Sequence, residues 1–267
     1  MSFIEDLAFY LRAGYPALWV ETYEEDRCCG DILKAAQETE MGMRRWRMTK
    51  GWTELREGGE VRVNDEITAV GALNSITNMT EETVYVFINF HYFLDSPEVV
   101  QTIKDVIPIA KNTGRCMVFV SAAVELPREL EKEITVIRYE LPSREDLRST
   151  LEAVAEDSRE NLRNTLGAAA GDSVLELSEE IANALVEAAL GLTMQEAENA
   201  FALAVVKHGA FNQQAVETVQ KEKINAIQKS KLLEFYPAER DGLDAVGGLE
   251  NLKEWLYVRK KAFSKKA

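Results

Sequence analysis

Three cysteines and two histidines are all that 267 residues provide. Two of the cysteines, Cys28 and Cys29, are adjacent, which leaves no even-numbered disulfide framework. His91 and His208 alone form no metal-ligand cluster. These shortages point to a reducing compartment and to no metal site. Basic residues are also in deficit, 31 Lys and Arg against 45 Asp and Glu, for a formal net charge of −14. That sign opposes general attraction to nucleic acid and to anionic lipid. No apolar run approaches the roughly 18 residues of a membrane-spanning helix. The acidic start, MSFIEDL, lacks the basic and apolar regions of a secretion signal. The expectation is an unprocessed cytoplasmic chain with no membrane partner.

What is present is an ordinary globular composition, 46% hydrophobic, with a change of pattern partway along. Strands are expected at about 16 to 22, 43 to 49, 83 to 89, 115 to 121 and 134 to 139. Within them ALWV, VYVFI and CMVFV are apolar at successive positions, as in strands covered by helices on both faces. The fold class is therefore α/β, a doubly wound parallel sheet of about five strands. Helices are expected at about 23 to 38, 66 to 79 and 97 to 112, the last with Ser96 as N-cap and Pro97 at its first position. Gly58 and Gly59 between alternating runs over 52 to 64 predict a hairpin insertion. From residue 143 strand signals cease and apolar residues recur at helical spacing. Ser143 caps a helix at about 144 to 157, and Thr193 with Glu196 forms a capping box opening one at 194 to 208. A loop is expected around 168 to 173. The organisation is a sheet subdomain over 1–142, a helical subdomain over 143–236, and a linker with a further segment over 237–267.

The junction after the first strand reads VETYEEDR. A phosphate-binding loop there needs glycines to turn backbone N–H groups toward phosphate, a lysine, and a Ser or Thr for magnesium. Between Val20 and Arg27 there is neither glycine nor lysine. Thr22 is expected to act as N-cap, with Glu25 reaching back to its amide. Glu24, Glu25 and Asp26 then supply the charge that the helix dipole favours. A carboxylate about 5 Å from a phosphate charge repels it by roughly 1 to 3 kcal/mol. A well-capped surface helix is the simple reading of these residues, and a cation site the alternative. The next strand runs into Asn89, Phe90 and His91, where a magnesium-holding Asp would be needed. Asn89 has no charge, Phe90 cannot activate water, and His91 reads as a hydrogen-bonding structural residue.

The segment MRRWRMTKGW has the composition of a nucleic-acid surface. Its alternation places Trp46 and Met48 on one face and Arg45 and Arg47 on the other, which reads as a charged strand at a sheet edge. Cys28 and Cys29 fall within the first turns of a helix, and their acidic neighbours favour core thiols over a redox pair.

The runs YPALWVETYEEDR, VYVFINFHYFLDS, ELPRELEKEITVIRYELPSREDL, ALGLTMQEAENAFA, KLLEFYP and VGGLENLKEWLYVRKKAF together resemble a bacterial and plastid AAA+ ATPase family, first named as hypothetical chloroplast open reading frame forty-six. The resemblance covers essentially the whole chain. It implies an N-terminal AAA-like module, degenerate at its nucleotide site, followed by a helical lid and then by a second module that carries the working P-loop. On that reading Thr22, Tyr23, Glu24, Glu25 and Asn89 are the degenerate site positions. Val246 and Gly247 pass near adenine only when the second module is present. The lid helix in such modules often carries a sensor arginine, and none lies between Leu190 and Ala204. Arg128 lies where such modules can offer an arginine finger to a neighbour, against a solvated arginine at a helix start.

The resulting expectation is a chain that is no enzyme by itself, a regulatory or assembly module without a cofactor of its own. ATP and magnesium belong to the full-length protein, whose partners are the downstream AAA module and neighbouring subunits, in cytoplasm or plastid stroma. The competing readings are a nucleotide-binding module with weak NTPase activity involving Asn89, and a nucleic-acid adaptor using the strand from Arg44 to Trp52.

Overall fold

The computed structural model describes residues 2–56, 59–78, 82–166, 177–229 and 249–260. The expected loop near 168 to 173, the linker beginning at Pro237, and Val246 and Gly247 lie outside them. The chain divides into two compact units, Met1–Val219 and Gln220–Ala267.

The first unit begins with α1 (Phe3–Arg12), β1 (Ala17–Glu21), α2 (Glu25–Glu38) and β2 (Gly42–Arg47). The hairpin β3 (Gly51–Arg56) and β4 (Gly59–Asn64) follows, then α3 (Ala69–Thr77), β5 (Thr83–Ile88), α4 (Pro97–Asn112), β6 (Cys116–Ser121) and β7 (Thr135–Arg138). The seven strands form one sheet in the order β4-β3-β2-β5-β6-β1-β7. The run from β2 to β7 is parallel, and only the hairpin is antiparallel. The five expected strands are thus the parallel set, and the hairpin adds two.

One expectation is corrected by this order. β2 is not an edge strand, because the hairpin folds back so that β3 pairs with it, and β4 takes the edge instead. The alternation within β2 holds for Trp46 against Arg45 and Arg47, while Met48 lies beyond the strand and is exposed. Helix α1 was not expected. Ser2 and Glu5 start it with a reciprocal capping box, and its buried face of Leu7, Ala8 and Leu11 joins α2 on one side of the sheet.

On the other side α3 and α4 cover a row of aromatic rings. Trp19 pairs in register with Phe119, Phe119 with Phe87, Phe87 with Trp46, and Trp46 with Trp52. Five adjacent strands therefore contribute one ring each to a single line across the sheet, and all five side chains are fully buried. Each indole N–H is satisfied: Trp19 donates to Ser121 Oγ at 3.1 Å, Trp46 to the Glu66 carbonyl at 2.7 Å, and Trp52 to Ser75 Oγ at 2.9 Å.

Gly51 opens β3 at φ +69°, and a Cβ added there would lie 2.4 Å from the Asn64 carbonyl oxygen. Both the positive φ and the close backbone approach require glycine. Gly51→Ala is expected to lower stability by more than about 1 kcal/mol in urea unfolding, and an unchanged midpoint would refute that account of the hairpin.

Beyond the sheet come α5 (Arg144–Leu166), α6 (Glu179–Ala189), α7 (Met194–His208) and α8 (Gln213–Lys229). Helix α5 runs past the expected end at 157. The Ser143 amide donates to Asp146 Oδ2 at 2.9 Å, and the Asp146 amide returns a bond to Ser143 Oγ at 3.2 Å. The capping box of Thr193 and Glu196 is present as expected. Apolar faces bring α5, α6 and α7 together through residues such as Leu151, Leu185 and Phe201, and Arg148 forks onto both carboxylate oxygens of Glu179.

In the second unit, α9 (Glu250–Lys260) exposes Leu252 and Trp255, which share one helical face, and Arg259 lies 4.3 Å over the Trp255 ring. Among the described residues no helix is long and apolar enough to cross a membrane.

Candidate functional site

In an open parallel sheet, ligands bind outside the carboxyl ends of the strands where neighbouring connections leave in opposite directions. Here those strands are β1 and β6. From β1 the chain passes through α2 to β2 on one side, whereas from β6 it crosses to β7 on the other. The site is therefore expected at Thr22 to Glu25 and around Ser121, with Asn89 at the end of β5.

The structure brings Thr22, Glu24, Glu25 and Asn89 to this mouth, but not in the expected arrangement. Helix α2 starts at Glu25, with Glu24 in the N-cap position and no side-chain cap. Thr22 Oγ1 instead accepts the Glu24 amide at 2.9 Å, so the capping box of Thr22 and Glu25 does not form. More distant donors take the carboxylates. Glu25 Oε1 accepts from Asn89 Nδ2 at 2.6 Å. Glu24 Oε2 accepts from Arg27 at 2.8 Å, and Glu24 Oε1 accepts the backbone amide of Met194 at 2.7 Å. Tyr23 points outward and is 81% exposed.

The strand ends themselves are closely tied. The Thr22 amide donates to the Ser121 carbonyl, and the Asn89 amide to that of Val120, both at 2.9 Å. Asn89 adopts the left-handed conformation, φ 55° and ψ 37°, which asparagine tolerates better than most residues. Ser121 is fully buried, accepting from Trp19 and donating to the Ala123 carbonyl at 2.7 Å.

Arg27 was not expected at the site. Besides Glu24 its guanidinium donates to the Glu140 carbonyl and lies 4.3 Å from the centre of the Tyr139 ring. The i, i+3 spacing of Glu24 and Arg27 was the available signal. The role of Met194 rests on a backbone amide and leaves no trace in side-chain chemistry.

The remaining candidates sit elsewhere. Beyond β5 and β6, His91, Tyr92, Leu94, Asp95, Glu125 and Pro127 line an open cavity of about 680 Å3. His91 was expected to be a hydrogen-bonding residue, but its Nδ1 is buried there without a partner among the described residues. Arg128 is exposed in the turn that follows. Cys28, Cys29 and Cys116 are buried free thiols. Burial pushes all three upward, Cys29 to about 11 despite the opposing Arg45 charge.

The charges of the basic strand are paired within the protein. Arg45 donates to Glu60 at 2.7 Å and to Asp26 at 2.9 Å, and Arg47 reaches the same Asp26 oxygen at 2.9 Å. With Trp46 of β2 and Trp52 of β3 buried in the aromatic row, neither strand offers an exposed indole for base stacking. Burial alone would raise the Glu60 carboxyl, but hydrogen bonds from Thr53, Arg45 and Lys50 outweigh it and hold the group down at about 2.

A parallel sheet wound on both faces, with its crevice at β1 and β6 and a helical subdomain packed beyond, defines a module of the AAA+ class. Comparison with known families agrees: a profile described as "SpoVK-like AAA ATPase, N-terminal domain" matches residues 3–139, and "SpoVK-like AAA ATPase, second domain" matches residues 145–230. The chain belongs to the SpoVK-like AAA ATPase family.

Its relatives include the uncharacterized AAA domain-containing protein ycf46 of Guillardia theta, 26% identical over 269 residues, covering 100% of this chain and 50% of the relative. The protein of the same name from Pyropia yezoensis is 26% identical over 272 residues, covering 100% and 51%. The chain thus spans about half the length of the curated relatives it matches. Among solved structures, C. elegans PCH-2 superposes with a TM-score of 0.49 at 10% identity, covering 85% of this chain and 68% of that one.

Proposed function

We propose that this chain is the non-catalytic N-terminal module of a larger AAA ATPase, serving assembly or regulation while a downstream module hydrolyses ATP. The observation that supports this reading is the hydrogen bond from Asn89 to Glu25 at 2.6 Å. It joins the end of β5 to the start of α2, across the crevice where this class of sheet receives phosphate. The helix N-terminus that would attract an anion already carries the chain's own carboxylates. A phosphate placed about 5 Å from either would meet roughly 1 to 3 kcal/mol of repulsion from each. The segment from Val20 to Arg27 offers no glycine or lysine to offset it.

In this reading the sheet subdomain is 1–142 and the helical lid 143–236, with 237–267 leading into the next module. ATP and magnesium are cofactors of the full-length protein, and the downstream module and neighbouring subunits of an oligomer are the partners. Leu252 and Trp255 on α9 form an exposed apolar face suited to burial against further chain.

Isothermal titration of this chain with ATP or ADP plus magnesium is expected to give no binding up to about 1 mM, a free energy weaker than about −4 kcal/mol. Magnesium-dependent binding below that concentration would overturn the proposal. Phosphate release abolished by Asn89→Ala would favour a weak NTPase instead.

A further inference from the structure

We propose that Glu24 is a latch that holds helices α5 to α7 closed against the carboxyl end of the sheet without any bound ligand. The inference rests on the reading that no nucleotide occupies this site, and it names what takes over the task of joining the two parts. The Glu24 side chain is only 6% exposed, and a carboxylate so placed must be paired and hydrogen-bonded. Both oxygens are engaged, one by the Arg27 guanidinium at 2.8 Å and one by the Met194 amide at 2.7 Å.

The second bond fits a specific gap. The capping box of α7 satisfies the amides of Thr193 and Glu196, which leaves the amide of Met194, the first helical residue, without an acceptor inside its own helix. Glu24, 170 residues earlier in the chain, supplies that acceptor. It also places a negative charge at the positive end of the α7 dipole. Arg27 meanwhile binds the Glu140 carbonyl and covers the Tyr139 ring, so it grips the connection through which the chain leaves β7 for α5. The entry to the helical part and the start of its third helix are therefore both held from the first turn of α2.

The test is the distance between spin labels at Lys104→Cys on α4 and Glu198→Cys on α7, both exposed positions. The three native cysteines are buried and remain unlabelled. The labelled protein is expected to give one narrow distance distribution. Glu24→Ala is expected to broaden it toward longer distances, and Glu24→Gln, which keeps an acceptor but loses the charge, to fall between.

Hydrogen exchange on the same variants should quicken at residues 194–197 by at least about tenfold in Glu24→Ala, with β5 and β6 unchanged. Thr193→Ala, which removes the α7 box and leaves the latch, should quicken exchange at Glu196 without altering the distance. An unchanged distribution in Glu24→Ala, or equal acceleration throughout the sheet, overturns the proposal. A shift in the unmodified protein on adding magnesium and ATP would instead count against the functional reading, and the latch is judged by the Glu24 variants alone.

Discussion

Replacing Phe87 with alanine is expected to destabilise the protein by about 3 to 5 kcal/mol, the usual range for deleting a buried aromatic ring. Phe87 sits at the middle of the aromatic row and touches four other rings. Phe119 is stacked at 5.2 Å, while Trp52, Phe90 and Trp46 meet it at 5.1, 5.0 and 5.9 Å. The helices on that face cannot collapse into the gap without disturbing the strand register on either side, so the cavity persists. Phe87→Leu keeps more of the volume and should lose less. Denaturant unfolding of both variants decides the matter, and a loss below about 1 kcal/mol for Phe87→Ala would show that the row can repack.

The second large effect is expected at Arg45. Its side chain is 7% exposed between Glu60 and Asp26, and removing one partner of a buried pair leaves an uncompensated charge. Such a loss costs about 3 to 5 kcal/mol, and Arg45→Ala should lie near the lower end because Asp26 is 84% exposed and stays hydrated. The pH dependence carries the signature. Glu60 is held at about 2 in the folded protein, below the ordinary glutamate value of about 4.3. Its contribution is therefore complete above that ordinary value and is lost as pH falls toward 2. The gap in stability between the unmodified protein and Arg45→Ala should narrow across this window. A gap independent of pH would mean that Arg45 acts by packing alone. The double variant Arg45→Met with Glu60→Leu should recover much of the loss, since it leaves neither charge unpaired.

The parallel strands were legible because three of them, buried on both faces, are apolar at consecutive positions, a pattern helices and half-buried strands do not share. Helix α4 was legible through Pro97 at its first position, although Ser96, expected to cap it, makes no side-chain capping bond. The hairpin was visible through its glycines, but its consequence was not. Nothing in MRRWRM reports that a later segment will pair with it, since pairing is settled by long-range geometry rather than by local composition. Helix α1 carried a full local signal, Ser2 and Glu5 at capping-box spacing and Leu7, Ala8 and Leu11 on one helical face, which the acidity of MSFIEDL overshadowed.

At the site, the capping bonds expected of Thr22 and Glu25 are replaced by others. Thr22 and Glu25 have the spacing of a capping box, and a local rule has no knowledge of Asn89 or Met194. Glu25 found a donor 64 residues away and Glu24 one 170 residues away, and these replaced the local cap. A carboxylate run at a helix start shows that an anion is favoured there. It does not show which donors will claim it.

The four tryptophans are unevenly placed: Trp19, Trp46 and Trp52 are buried in one row, and Trp255 stands half exposed on α9 beneath Arg259. The intrinsic emission is thereby expected to fall into two colours. The three shielded indoles are expected to emit toward the blue and to report on the sheet, whereas the half-exposed one is expected to emit toward the red and to be the one a soluble quencher reaches first. A single unlabelled sample can thus follow the sheet and the C-terminal helix as separate optical signals.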